Sequence, residues 1–178
     1  MAVTLVRHTT PDVPMGTCYG RTDLGLAASF ASEAARVAAA VPRGDMILTS
    51  PLTRCRQLAL HLQSHSSLEM CPIEDWIEMD FGTWEGTLWA DIPRDRLDAW
   101  AENFMHYSGH GGESVAMLET RVKRALDVTP DNALVVTHSG CIRAACAIYG
   151  LQDGWDTETE FGGMVTLFNG LVLGRTPL

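Results

Sequence analysis

The sequence predicts a protein of the α/β class built on a mostly parallel sheet. Two features predict it. Short apolar runs alternate with helix-forming stretches, the order that gives parallel strands joined by crossover helices. The runs are near-continuously apolar, as strands covered on both faces are.

The first run, Val-Thr-Leu-Val-Arg-His from Val3 to His8, ends abruptly in a cation and an imidazole. Thr9 to Asp23 follows with two prolines and two glycines, a loop by composition. It is long for a connector, which marks it as functional, and it carries Tyr19, Gly20 and Arg21. Arg21 is either a solvated surface charge or a side chain reaching an anion. Ala27 to Val41 is alanine-rich and reads as a helix stopped by Pro42 and Gly44. Met46 to Thr49 is a second buried strand. Ser50 is placed to cap the next helix, Pro51 to occupy its first position, and the helix to run to about Ser64. Arg54 falls in its first turn, where the helix dipole favours acidic residues. A cation there suggests a neighbouring anion, a surface salt bridge being the plain alternative.

Leu68 to Ile77 is weakly strand-like. Glu78 to Gly86 mixes carboxylates, aromatics and glycines, as a structured loop does. Thr87 to Tyr107 predicts one or two helices broken near Pro93, with Trp84, Trp89 and Trp100 as packing residues. Gly111-Gly112-Glu113-Ser114 opens a helix from Val115 to Val128, with Glu119 and Lys123 as an i,i+4 pair. Ala133 to Thr137 is the third buried strand, and His138 ends it. Ser139-Gly140 leads into a helix from Cys141 to Tyr149, stopped by Gly150. Near the end, Asn169-Gly170 between apolar runs (164–168 and 171–173) predicts a hairpin. No repeat or linker interrupts the 178 residues, so a single domain spanning 1–178 is expected.

A hydrophobic fraction of 46% predicts a folded globule. The net charge of −9 argues against nucleic acid and anionic membranes as partners. A local cluster of cations can still bind a small anion against that diffuse field. Five cysteines without a Cys-x-x-Cys suit free thiols in a reducing cytoplasm. No secretory signal or membrane-length apolar run is visible, so a cytoplasmic location is expected. A homodimer is one arrangement the sequence leaves open.

Three separate strands thus end at a polar group: Arg7 with His8, Ser50 to Arg54, and His138. A parallel sheet gathers these ends on one edge, together with helix N-termini that offer N–H groups to anions. The expected result is an oxyanion pocket with two guanidiniums and two imidazoles. At ~4 Å and an effective dielectric of about 20, each charge pair is of order 4 kcal/mol, and arginine grips phosphate oxygens bidentately.

Five motifs fall in one order along the chain: Leu-Val-Arg-His, Ser-Pro-Leu-x-Arg, Glu-x-x-Phe-Gly-x-Trp-Glu-Gly, Gly-Gly-Glu-Ser and Val-Thr-His-Ser-Gly. In order and spacing they resemble the histidine phosphatase superfamily, from residue 3 to about 145. The resemblance implies a phosphoglycerate mutase-like fold, a three-layer α/β/α sandwich. Arg-His-Thr-x-Pro followed by Cys-Tyr-Gly-Arg-Thr-Asp is most similar to the alpha-ribazole phosphatase branch. Carried over by motif, His8 resembles the nucleophile that becomes a phosphohistidine. Arg7 and Arg54 resemble the phosphate clamps, His138 the second imidazole, and Glu78 the general acid. Thr9, Tyr19, Gly20 and Arg21 are expected beside the phosphate or substrate. Glu85 is a rival for the acid role, with Glu78 favoured on motif position.

The chemistry fits those roles. An alkoxide leaves poorly, so a carboxylic acid that protonates it is useful. The imidazole must be neutral to attack, and neighbouring arginines keep it so. The guanidiniums neutralise the phosphoryl charge, so no metal or other cofactor is required. The expected substrate is a small phosphorylated metabolite, with alpha-ribazole 5′-phosphate, a cobalamin precursor, as the best candidate. A broad-specificity phosphatase, a phosphoglycerate mutase-type isomerase and a non-catalytic phospho-ligand module are the alternatives. Two departures stand out: the Gly usual after the nucleophile is Thr9, and the Asn six residues on, found in mutases, is Pro14. The Thr9 hydroxyl is expected to replace the missing contact. His61, His65, His106 and His110 are expected in ordinary surface or core positions, and Arg143 in a structural ion pair.

Overall fold

A computed structural model describes residues 2–150, 154–168 and 171–176, the last segment for its backbone. Its sheet has six strands in the order β3-β2-β4-β1-β5-β6. These are β1 Ala2–Arg7, β2 Met46–Thr49, β3 Met70–Pro72, β4 Ala133–Thr137, β5 Met164–Phe168 and β6 Leu171–Thr176. The first four are mutually parallel, and β5 and β6 add an antiparallel edge beyond β1. The expected hairpin residues Asn169-Gly170 lie outside the described residues, and the strands on either side of them pair antiparallel.

Two helical layers cover the sheet. Val6, Ile47, Leu134 and Val136 face α1 (Phe30–Ala40) and α2 (Thr53–Ser64). Their neighbours Leu5, Leu48 and Val135 face α4 (Val115–Val128) and α5 (Ser139–Ile148). Alternate residues thus bury opposite faces, which is why each strand had to be apolar throughout. The three-layer sandwich is as expected. The fifth helix, α3 (Arg94–Glu102), lies outside these layers, in an excursion that packs Cys18, Trp84 and Ile92 into a core of its own.

Several local expectations shift. Ser50 does not cap α2. The helix begins at Thr53, and its first N–H is taken by the Asp23 carboxylate at 2.7 Å, from the far end of the Thr9–Asp23 loop. Thr53 Oγ1 donates to the same carboxylate. The acidic group favoured at a helix N-terminus is present but arrives from 30 residues away. α1 starts at Phe30 rather than Ala27, and α5 starts two residues early, at Ser139. Gly150 ends α5 at φ 76°, left-handed as a C-terminal stop requires. Lys123 reaches Asp127 at 3.3 Å rather than Glu119, i,i+4 in the opposite sense. Among the described residues, no helix is long and apolar enough to cross a membrane.

Candidate active site

Register builds the site. Arg7 lies opposite Thr137 and Thr49 opposite Val136, so β1, β2 and β4 end level. His8, Ser50 and His138 are each the next residue along. After β1 the chain leads to the α1 face, and after β4 to the α5 face. The two neighbouring strands therefore part at their carboxyl ends, where α/β sheets bind ligands.

His8 is 2% exposed. Its Nδ1 lies 2.7 Å from the Thr9 carbonyl, which assigns the proton to Nδ1 and a lone pair to Nε2. Arg54 Nε donates to that Nε2 at 3.3 Å. The other two nitrogens of Arg54 donate to the carbonyls of Thr22 (2.8 Å) and Gly20 (2.6 Å). His138 packs edge-on against His8 with ring centroids 5.1 Å apart, and its Nε2 is 2.8 Å from Ser50 Oγ. Burial, then the Arg54 charge, lowers the His8 pKa well below the usual imidazole value. Burial and then His8 itself do the same to His138. Both rings are neutral near pH 7, as a nucleophilic imidazole must be.

Arg7 sits under a strap formed by residues 154–163. Its Nη1 donates to the Thr159 carbonyl at 2.7 Å, and Phe161 stacks 3.9 Å from its guanidinium carbon. Glu78 is buried opposite, with Oε1 accepting from its neighbour Met79 N (2.9 Å) and Oε2 from Gly140 N (3.0 Å). The loop carrying it is clamped from behind. Arg121 donates to the carbonyls of Asp75, Ile77 and Glu78 and forms a two-point pair with Glu113. Burial opposes that pair, but the hydrogen bonds outweigh it and hold Glu113 below the usual carboxylate range.

A cavity of about 410 Å³ opens in front of these groups. Arg7, His8, Tyr19 and Glu78 form its polar end with Arg143, while Phe81, Trp89, Trp100, Phe104 and Trp155 supply an aromatic wall. Arg54 and His138 stand beside His8, off the cavity wall, and both contact its imidazole. The five distant residues Arg7, His8, Arg54, Glu78 and His138 do converge.

The substrate-binding expectations are corrected in part. Tyr19 lines the cavity and lies beneath the Arg54 guanidinium, 5.3 Å from ring centre to carbon. Arg21 instead pairs with Glu113 at 3.2 Å, because the loop turns its side chain toward that carboxylate. Gly20 acts through its carbonyl, and a Cβ there would run into the Met79 carbonyl oxygen. Thr9 is fully buried behind His8, and its hydroxyl has no hydrogen-bond partner among the described residues. Glu85 is occupied by the amides of Arg21, Thr22 and Phe81 and by the Thr22 hydroxyl, so it holds the loop together. Arg143 makes no structural ion pair among the described residues; its Nε donates to the Thr157 carbonyl and it lines the cavity. Trp89 and Trp100 are wall residues as well as packing. Four of the five tryptophans lie in 76–100, and that density was the available signal for an aromatic wall.

A neutral imidazole whose lone pair is held by one guanidinium, a second guanidinium in the cavity and a carboxyl across from them define a candidate phosphoryl-transfer site. The chain belongs to the histidine phosphatase superfamily (branch 1), whose family model matches residues 3–161. It is 31% identical over 161 residues to phosphoserine phosphatase 1 of Hydrogenobacter thermophilus, covering 83% of this chain and 76% of that one. Among solved structures, a phosphoglycerate mutase from Thermus thermophilus superposes with a TM-score of 0.84 at 29% identity, covering 100% and 99% of the two chains. A mycobacterial glucosyl-3-phosphoglycerate phosphatase shares the fold, with a TM-score of 0.79 at 23% identity over 93% and 88%. The protein is a phosphatase of this superfamily.

Proposed function

We propose that the protein hydrolyses phosphate monoesters of an alcohol with an aromatic body, through a phosphohistidine on His8, and that alpha-ribazole 5′-phosphate is its substrate. The observation that carries this reading is the pairing of a phosphate-handling end with an aromatic wall in one cavity. In the first step His8 Nε2 attacks phosphorus. The Arg54 N–H that sits on its lone pair turns to a phosphoryl oxygen, while Arg7 takes another. Glu78 gives its proton to the departing alkoxide. In the second step water attacks the phosphohistidine, and Glu78 takes the proton back. His138 packs against the His8 ring from behind and keeps it in place. A carboxyl placed as a general acid contributes on the order of 10²–10⁴-fold.

The aromatic wall suits a flat heterocycle such as benzimidazole, which stacks against such rings. A second reading is phosphoserine, favoured by the named relative and by Arg143, which offers a partner for a carboxylate. Against it, Glu78 is the one carboxylate on the wall among the described residues, and it is already assigned to the proton transfer, so no described carboxylate is left for the serine ammonium. The test is a comparison of kcat/KM on alpha-ribazole 5′-phosphate, phosphoserine and 3-phosphoglycerate, the last with a bisphosphate primer to detect isomerisation. We expect the first to lead by at least tenfold. Preferred cleavage of phosphoserine, or interconversion of phosphoglycerates, overturns the assignment. Trapping an acid-labile, base-stable phosphoenzyme that vanishes in His8→Ala separates a working enzyme from a binding module.

A further inference from the structure

We infer that Gly140 is a positioning residue for the acid: a missing side chain in the first turn of α5 is what allows the helix to hold the Glu78 carboxyl. The inference rests on the assignment of Glu78 as proton donor. Gly140 N–H donates to Glu78 Oε2 at 3.0 Å. A Cβ built at Gly140 would stand 3.1 Å from Glu78 Cδ and 3.4 Å from Oε2, and nearer still to Oε1. The carboxyl has little freedom to retreat. Its own loop is fixed by Arg121 on the carbonyls of Asp75, Ile77 and Glu78, and by Glu113, which accepts the Asp80 N–H. A methyl group at 140 would therefore break the Gly140 hydrogen bond and swing the acid out of line with the leaving oxygen.

Local structure gives no other reason for glycine. The residue sits inside a helix with no left-handed φ, where alanine is the better helix former. His138 lies two residues earlier, so one short segment sets both the second imidazole and the acid. The glycine in Val-Thr-His-Ser-Gly then reads as clearance for the carboxyl of a motif about 60 residues upstream.

The test uses two substrates with the same ring and unlike leaving groups. 4-Nitrophenyl phosphate releases an acidic phenol that needs little protonation, and benzyl phosphate releases an alcohol that needs it. The quantity compared is kcat/KM, which reports transfer to His8. Glu78→Gln is expected to lose on the order of 10²-fold on benzyl phosphate and less than about 3-fold on the nitrophenyl ester. Gly140→Ala is expected to show the same selectivity with roughly a tenfold loss, and unchanged inhibition by inorganic phosphate, which shows the variant is folded. The double variant should match Glu78→Gln alone, since both changes remove one function. If Glu78→Gln loses equally on both esters, the acid assignment falls, and this inference with it. If Glu78→Gln is selective while Gly140→Ala loses nothing, loses equally on both esters, or adds fully to Glu78→Gln, the positioning role alone is overturned.

Discussion

Lowering the pH from 7 to 5.5 should destabilise this protein well before its carboxylates titrate. His8 and His138 are 2% and 0% exposed, and burial together with neighbouring positive groups lowers both pKa values far below the usual imidazole value. In the unfolded chain both rings take up protons near pH 6.5. The native state does not, so the unfolded state binds more protons and stability rises with pH. The contribution is fully present above about 6.5 and is lost as the pH falls below it. Each site changes stability by about 1.4 kcal/mol per pH unit, so two sites one unit below 6.5 cost roughly 3 kcal/mol. For a chain of this size that corresponds to roughly 6–12 °C in melting temperature. Glu33, Glu85 and Glu113, all held below the usual carboxylate range, add their own acid loss only at lower pH. His61 and His110 are also lowered by burial and act in the same direction, which makes variants necessary. Thermal melts followed by circular dichroism in phosphate-free buffer, on wild type, His8→Asn and His138→Asn, resolve the shares. Each variant should remove about one proton from the pH slope. A melting temperature that is flat or rising from pH 7 to 5.5, or slopes identical in all three proteins, would refute the neutral-imidazole site.

Three further outcomes follow from the geometry. Arg54→Lys cannot span the Gly20 and Thr22 carbonyls and His8 together; kcat/KM should fall on the order of 10²–10³-fold, with weaker inhibition by inorganic phosphate, measured by steady-state kinetics. Glu85→Ala leaves three amides without their acceptor; denaturant melts should show a loss of about 1–3 kcal/mol, with activity changing equally on benzyl and nitrophenyl esters. Trp100→Ala removes a stacking wall whose ring lies nearly parallel to Trp89 at 5.8 Å. KM for aromatic esters should rise about tenfold while the inhibition constant for phosphate stays put.

The parts legible in the sequence were those governed by local chemistry. α4 runs over the expected residues because Ser114 caps it, accepting from Met117 N, and β4 does because four consecutive apolar residues closed by a threonine, with polar residues on either side, suit a buried strand. Strand-end geometry brought Arg7, His8, Arg54 and His138 together, since a parallel sheet leaves little choice about where its ends lie. Glu78 followed from its motif rather than from any period. What stayed hidden depended on distant partners. The cap of α2 is an aspartate 30 residues upstream, and no window around Ser50 contains it. From sequence, Arg21 is expected beside the substrate and Arg143 in an ion pair, yet Glu113 claims the first while the second lines the cavity. Trp89 and Trp100 have the composition of core residues, and only the placement of the excursion around α3 turned them toward substrate.

That excursion has an evolutionary consequence. The groups that handle phosphorus are anchored in strand ends whose register fixes them. Trp89 and Trp100 hang from a side core that shares few residues with the sheet. Recognition and reaction are therefore built from separable modules. A descendant can acquire a new alcohol largely by redrawing residues 84–107, while the engine beneath keeps running unaltered.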